Sequence, residues 1–143
     1  ALLGVLVTLN IRYSNILYLK ADVMQTQMIS YYTTLITRIE SIEGYTEDAQ
    51  VVYIGEYDKH DKNLVGISEY FDDLDLATYK GEPIFNDYAW KEAMEFWCGF
   101  APELGDAAEF DGNAEVASMP CYPDQGSIRC INGKIVVKFA DEP

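Results

Sequence analysis

Ala1 to Leu9 is an almost unbroken apolar run that stops at Asn10-Ile11-Arg12. Beyond it, Tyr13, Leu17, Met24, Met28, Tyr32, Leu35, Ile39 and Ile42 recur at intervals of three, four or seven, the stripe of an amphipathic helix. No Gly or Pro interrupts residues 5 to 43, and Gly44 stands where a left-handed C-cap closes a helix. The pattern predicts one helix longer than about 45 Å, at a rise of about 1.5 Å per residue. A small domain is narrower than that, so one end of the helix is expected to project toward something else, such as a membrane. The Met and Tyr positions of the stripe read as core residues rather than cofactor contacts. Nine apolar residues are too few to cross a bilayer, which takes about 20. Residues 1–11 are therefore either the buried first turns of a core helix or the end of a transmembrane helix. The second reading fits a chain that opens on Ala rather than Met, as a fragment or processed product does, and residues 12–143 then form a single soluble domain.

Val51-Val52-Tyr53-Ile54, closed by Gly55, reads as a short strand, and its continuous apolarity predicts a buried central position. Residues 56–63 are a polar loop in which Glu56, Asp58 and His60 are candidates for chemistry, although a solvated connection is the simpler reading. Asp73-Leu74-Asp75 has the D-x-D spacing that can hold a divalent cation if both carboxylates point the same way. Such a tripeptide is common in an acidic chain. Asn86 is an expected N-cap, after which Trp90, Ala93, Met94 and Trp97 share one helical face up to Gly99. Residues 101–112 read as a loop, and Asp111-Gly112-Asn113 as a turn capping a short helix through Val116. Two apolar runs, residues 127–131 and 134–139, flank Asn132-Gly133, the preferred dipeptide of a type I′ hairpin.

The fold class that follows is α+β. It has a long N-terminal amphipathic helix, one buried strand that joins a C-terminal hairpin in a small sheet, and one or two shorter helices. At 143 residues and 49% hydrophobic content the chain suits one globular domain. A net charge of −14 argues against a nucleic-acid partner, which needs a cationic face to displace counterions. It also disfavours docking to anionic lipid through a polybasic patch. Cys98, Cys121, Cys130 and the single His60 do not fall at zinc-site spacing. No metal and no other cofactor is expected. Cys121 and Cys130 are near enough for a bridge if the backbone turns between them.

Two stretches carry a resemblance. The first runs from Asn15, Tyr18, Leu19 and Lys20 through Arg38-Ile39-Glu40 to Glu43-Gly44-Tyr45 and Val51 to Gly55. The second is Met119-Pro120-Cys121-Tyr122-Pro123, then Gly126-Ser127-Ile128, Asn132-Gly133 and Ile135 to Lys138. In this order they resemble the C-terminal extracytoplasmic tail of the bacterial multispanning membrane proteins described as type II glucosyl transferases. The resemblance runs from about Asn15 to Phe139 and is loose over residues 56–112, and none of its motifs is a catalytic signature. It implies a parent protein that transfers glucose from a polyprenyl-phosphate donor to O-antigen or a related surface glycan of the cell envelope. The essential acidic residue of such a transferase lies in an earlier loop that no position here matches, so no catalytic residue is carried over.

On that resemblance, the chain is expected on the extracytoplasmic face of a bacterial membrane as part of a multispanning protein. Its partners are then the remainder of that protein and an acceptor glycan. The resemblance also favours the membrane reading of residues 1–11. Trp90, Trp97 and Tyr122 are the candidate substrate-binding residues, because aromatic faces stack on sugar rings, although all three suit a core equally. The alternatives are a structural or partner-binding tail without a ligand, and a stand-alone metal-dependent sugar transferase using Asp73 and Asp75. The last lacks a glycine-rich phosphate loop after Ile54.

Overall fold

A computed structural model describes residues 2–55 and 90–140, apart from the side chains of Lys20 and Met24. In chain order these residues form helix α1 (Leu2–Glu40), strand β1 (Val51–Ile54), helix α2 (Trp90–Cys98) and a 3-10 turn (Ala107–Phe110). A one-turn helix α3 (Ala114–Ala117) and the strands β2 (Ile128–Ile131) and β3 (Lys134–Lys138) complete the fold. The class is α+β, as the periodicities predict.

The 39 residues of α1 span about 58 Å. The predicted stripe is the buried face where the helix meets the sheet: Met28, Tyr32, Leu35 and Ile39 are buried, with Ile36 beside them. The helix stops at Glu40 rather than at residue 43. Ile42 N–H donates to the Ile39 carbonyl (3.2 Å) and Tyr45 N–H to the Ile42 carbonyl (3.0 Å), which tightens the chain into turns before Gly44 at φ +93°. The first half of α1 is different. Leu2, Leu3, Val5, Leu6, Val7, Leu9 and Ile11 are each at least half exposed, all around the helix. Among the described residues, nothing covers them. By length and composition α1 suffices to cross a membrane.

The sheet has the order β1-β3-β2. β2 and β3 are the predicted hairpin, with Ile131 opposite Lys134 and a turn in which Asn132 (φ 54°) and Gly133 (φ 78°) both take the left-handed conformation of type I′. β1 pairs parallel to β3, Val51 against Ile135 through Ile54 against Lys138. The central strand is therefore β3, not β1. The apolarity of β1 has another cause: both its faces are covered, and its outer edge is paired with residues 103–105. There Val51 N–H donates to the Glu103 carbonyl (2.8 Å) and Gly105 N–H to the Val51 carbonyl (3.0 Å).

Strand alternation divides the core into two layers. Val51, Ile128, Ile135, Val137 and Phe139 face α1 and α2, with Met28, Tyr32, Leu35, Ile39 and Met94 packed on them. Val52, Ile131 and Val136 face the other way, onto Phe110, Val116 and Met119. The segment that covers this second face is capped at both of its short helices. Asn113 Oδ1 accepts from Glu115 N–H (2.9 Å) and Val116 N–H (3.2 Å), the cap the sequence predicts. The 3-10 turn lies within residues expected as loop. Asp106 Oδ1 accepts from Ala108 N–H (2.9 Å) to start it, and the buried Phe110 side chain anchors it under the sheet. Cys121 and Cys130 are not bridged. Cys130 is on the β2 face toward α1, and its sulfur lies over Gly44 in the turn after α1.

Candidate functional site

The strand ends place aromatic rings together. Tyr53 lies two residues after Val51 on the same face of β1, and Phe139 two residues after Val137 on the matching face of β3, so parallel pairing sets both rings at one end of the sheet. Their rings stack with centroids 6.0 Å apart and planes 15° from parallel. Trp90, the first residue of α2, meets Tyr53 edge to face at 4.7 Å and Phe139 at 5.9 Å. Tyr122 reaches Phe139 from the other side at 5.8 Å, because its N–H donates to the Lys138 carbonyl (2.7 Å). Tyr31 of α1 then meets Tyr122 at 5.7 Å. Edge-to-face contacts of this kind contribute about 0.5–1.5 kcal/mol each beyond area burial.

Two cations complete the cluster. The Arg38 guanidinium lies over the Tyr122 ring, 4.9 Å from its centroid. From there Nη1 donates to the Pro123 carbonyl (2.7 Å) and Nη2 to the Asp124 carbonyl (3.1 Å). Arg38 thereby ties α1 to the turn that precedes β2. Lys91 Nζ sits 5.4 Å from the Trp90 centroid and 5.8 Å from that of Tyr53. Burial pushes the Tyr53 phenol well above its ordinary pKa of 10.0, so its hydroxyl stays protonated at neutral pH. That hydroxyl has no hydrogen-bond partner among the described residues.

On the opposite face of the sheet, Lys138 is buried. Its Nζ donates to the carbonyls of Met119 (2.9 Å), Val116 (3.2 Å) and Ala117 (3.3 Å). The ammonium sits where the last carbonyls of α3 concentrate negative charge. Lys134 pairs with Glu109 at the other end of β3. Both lysines serve the packing of the covering segment.

Of the candidate substrate contacts, the structure brings Trp90 and Tyr122 into one cluster, bridged by Phe139. Both are half-buried, and their rings are taken up by protein neighbours. Trp97 is elsewhere. Trp90, Ala93 and Met94 do share the face toward the core, but Trp97 is 47% exposed and pairs edge to face with the 77% exposed Phe96 at 4.9 Å. Seven residues after Trp90, Trp97 keeps the same side of the helix but lies at its C-terminal end, where that side is left partly exposed. Asp73, Asp75, Glu56, Asp58, His60 and the N-cap Asn86 lie outside the described residues. Among the described residues, no three His, Cys, Asp or Glu side chains converge as a metal site.

Sequence reasoning missed Tyr53, Phe139, Tyr31, Arg38 and Lys91 as members of the cluster. The alternation that puts Tyr53 and Phe139 on the helix-facing side was readable, but not the parallel register that sets them side by side. Compared with family models, with curated proteins and with solved structures, the chain matches none.

Proposed function

We propose that the chain is a membrane-anchored domain, held by the bare apolar half of α1. The observation that supports this reading is that Leu2 to Ile11 are exposed on every side of a helix that continues without a break into the folded core. Water is a poor solvent for such a cylinder and a bilayer a good one. Joined to the sequence resemblance, the reading becomes more specific. The domain is the extracytoplasmic C-terminal part of a multispanning bacterial glucosyltransferase that moves glucose from a polyprenyl-phosphate donor to a surface glycan. Residues 12–143 support that enzyme from outside the bilayer and do not carry its chemistry.

Of the two roles open to such a domain, acceptor engagement and structural support, the packing favours support. Trp90 and Tyr122 spend their ring faces and edges on Tyr53, Phe139, Tyr31 and the two cations. A sugar-stacking platform needs a ring face open to solvent. The test is glucosyl transfer in membranes carrying the full-length parent, compared with a version truncated after Leu9. Lost transfer, with the truncated protein inserted and abundant, is the expected result. Unchanged transfer would leave the domain as a tail for assembly or partners.

A further inference from the structure

α1 carries a second pattern besides the stripe that packs on the sheet. Leu2, Leu9, Ile16, Val23, Ser30 and Thr37 recur every seven residues. Val5, Arg12, Leu19, Thr26 and Thr33 each follow one of the first five by three. The result is an unbroken alternation of steps of three and four along the helix, apolar as far as Val23 except at Arg12, and made of small hydroxyl residues beyond it. A repeat averaging 3.5 residues keeps one face of a helix against a second helix wound around it. The face in question lies away from the sheet. Ser30 stands two residues, about 200°, from the buried Met28, and Thr33 and Thr37 stand equally far from the buried Leu35. Thr26, Ser30, Thr33 and Thr37 are exposed, as are Leu2, Val5, Leu9 and Leu19.

Charge selects the occupant. The whole chain, every residue counted, carries −14, so two copies repel one another unless they meet where acidic side chains are absent. Residues 23–37 contain no charged side chain at all. A cationic partner drawn to this acidic chain would find nothing to pair with there, whereas a second copy meets no repulsion. The hydroxyls also suit close approach. Thr34 Oγ1 donates to the Ser30 carbonyl (2.9 Å) and Thr37 Oγ1 to the Thr33 carbonyl (2.7 Å), so a second helix does not strand these donors. Direction follows from the anchor, because two copies held in one bilayer by Leu2 to Ile11 point the same way. Within lipid an apolar seam gains little over lipid contact. Outside it, Ile16, Leu19 and Val23 leave water on pairing, and the driving force resides there. Arg12 stands where the apolar rod ends, and its long side chain can turn its charge outward. One polar residue in such a seam fixes register at a cost in stability.

We infer that the outer face of α1, from Leu2 to Thr37, is an interface with a second copy of this chain in a parallel, in-register helix pair. The inference goes beyond the membrane-anchored reading and takes from it only the shared direction of the two helices. The full chain in mild detergent should sediment as a dimer of 16.2 kDa copies. Leu19→Glu removes an apolar residue from the seam and sets two carboxylates face to face, so it should raise the dissociation constant about tenfold or more. Tyr18→Glu places the same charge on an exposed residue beside the seam and should leave that constant unchanged. Neither residue belongs to the core, so thermal unfolding of the domain should match in both variants. Thr26→Cys and Thr33→Cys, each under mild oxidation, should bridge to the same position in the other copy, identified by mass spectrometry of the linked peptides. An antiparallel pair can align only one position with itself. A monomeric chain, a dimer that ignores Leu19→Glu, or one that bridges at neither position or at only one overturns the inference. Vesicle flotation reads the anchor separately. A chain that floats as a monomer overturns the pairing and leaves the anchor standing, and one that pairs through the seam without floating does the reverse.

Discussion

At the scale of single residues, two buried polar side chains illustrate opposite solutions. Lys138 is buried with its ammonium on three carbonyls at the end of α3. Lys138→Met keeps the aliphatic volume and leaves those carbonyls without their donor, so it should destabilise the domain by about 2–4 kcal/mol, read from urea unfolding in mild detergent. Tyr53 is the reverse case, a hydroxyl buried without a partner among the described residues. Tyr53→Phe should be neutral or raise stability by about 1 kcal/mol. The phenol also predicts a pH dependence. In the unfolded chain it loses its proton near pH 10, while burial keeps the proton on in the folded protein. Above that pH the unfolded chain binds fewer protons than the folded one, so stability falls as pH rises, and below it this group contributes no slope. Tyr45, raised by burial and then by Glu40 and Glu47, acts in the same direction but more weakly, being more exposed. Unfolding measured between about pH 8 and about pH 11 should show an alkaline loss that Tyr53→Phe diminishes.

At the scale of elements, two glycines with nearly the same backbone make a controlled comparison. Gly133 in the hairpin turn has φ +78° and open space where a Cβ would go. Gly55, which ends β1, has φ +76°, and a Cβ there would meet Ala140 backbone nitrogen and Cβ at 2.7 Å. Alanine at either site incurs a left-handed penalty of about 1–2 kcal/mol. Gly55→Ala should cost more than Gly133→Ala, and the difference, measured as a shift in unfolding midpoint, isolates the clash between the ends of β1 and β3. Arg38 joins elements far apart in the chain, binding two carbonyls of the 122–124 turn and the Tyr122 ring. Arg38→Ala should cost about 1–3 kcal/mol and loosen that turn, seen as faster hydrogen exchange at Tyr122.

For the whole molecule, the decisive property is the contrast between a closed two-layer core and an uncovered apolar rod. If the rod lies in lipid, Leu6→Arg places a charge in hydrocarbon and should weaken insertion by about 2–3 kcal/mol, measured as lost flotation with vesicles. The core should be unaffected, because Leu6 touches none of it. Unchanged flotation of Leu6→Arg would count against the anchor.

Local periodicity and turn chemistry were enough to establish the helix stripe from Met28 to Ile39, the Asn113 cap and the Asn132-Gly133 hairpin. Each depends on residues a few positions apart, whose steric and hydrogen-bonding preferences act before any long-range contact forms. The sequence also showed that a helix so long must outrun its domain. Only the tertiary structure decided that β3 rather than β1 is central, that residues 103–105 cover the edge of β1, and that Cys130 faces Gly44 instead of Cys121. It alone put Trp90 and Tyr122 in one cluster while leaving Trp97 outside. Those outcomes depend on pairing between strands about 80 residues apart in the chain, and an apolar strand reads the same whether its neighbours are strands, helices or a short backbone edge.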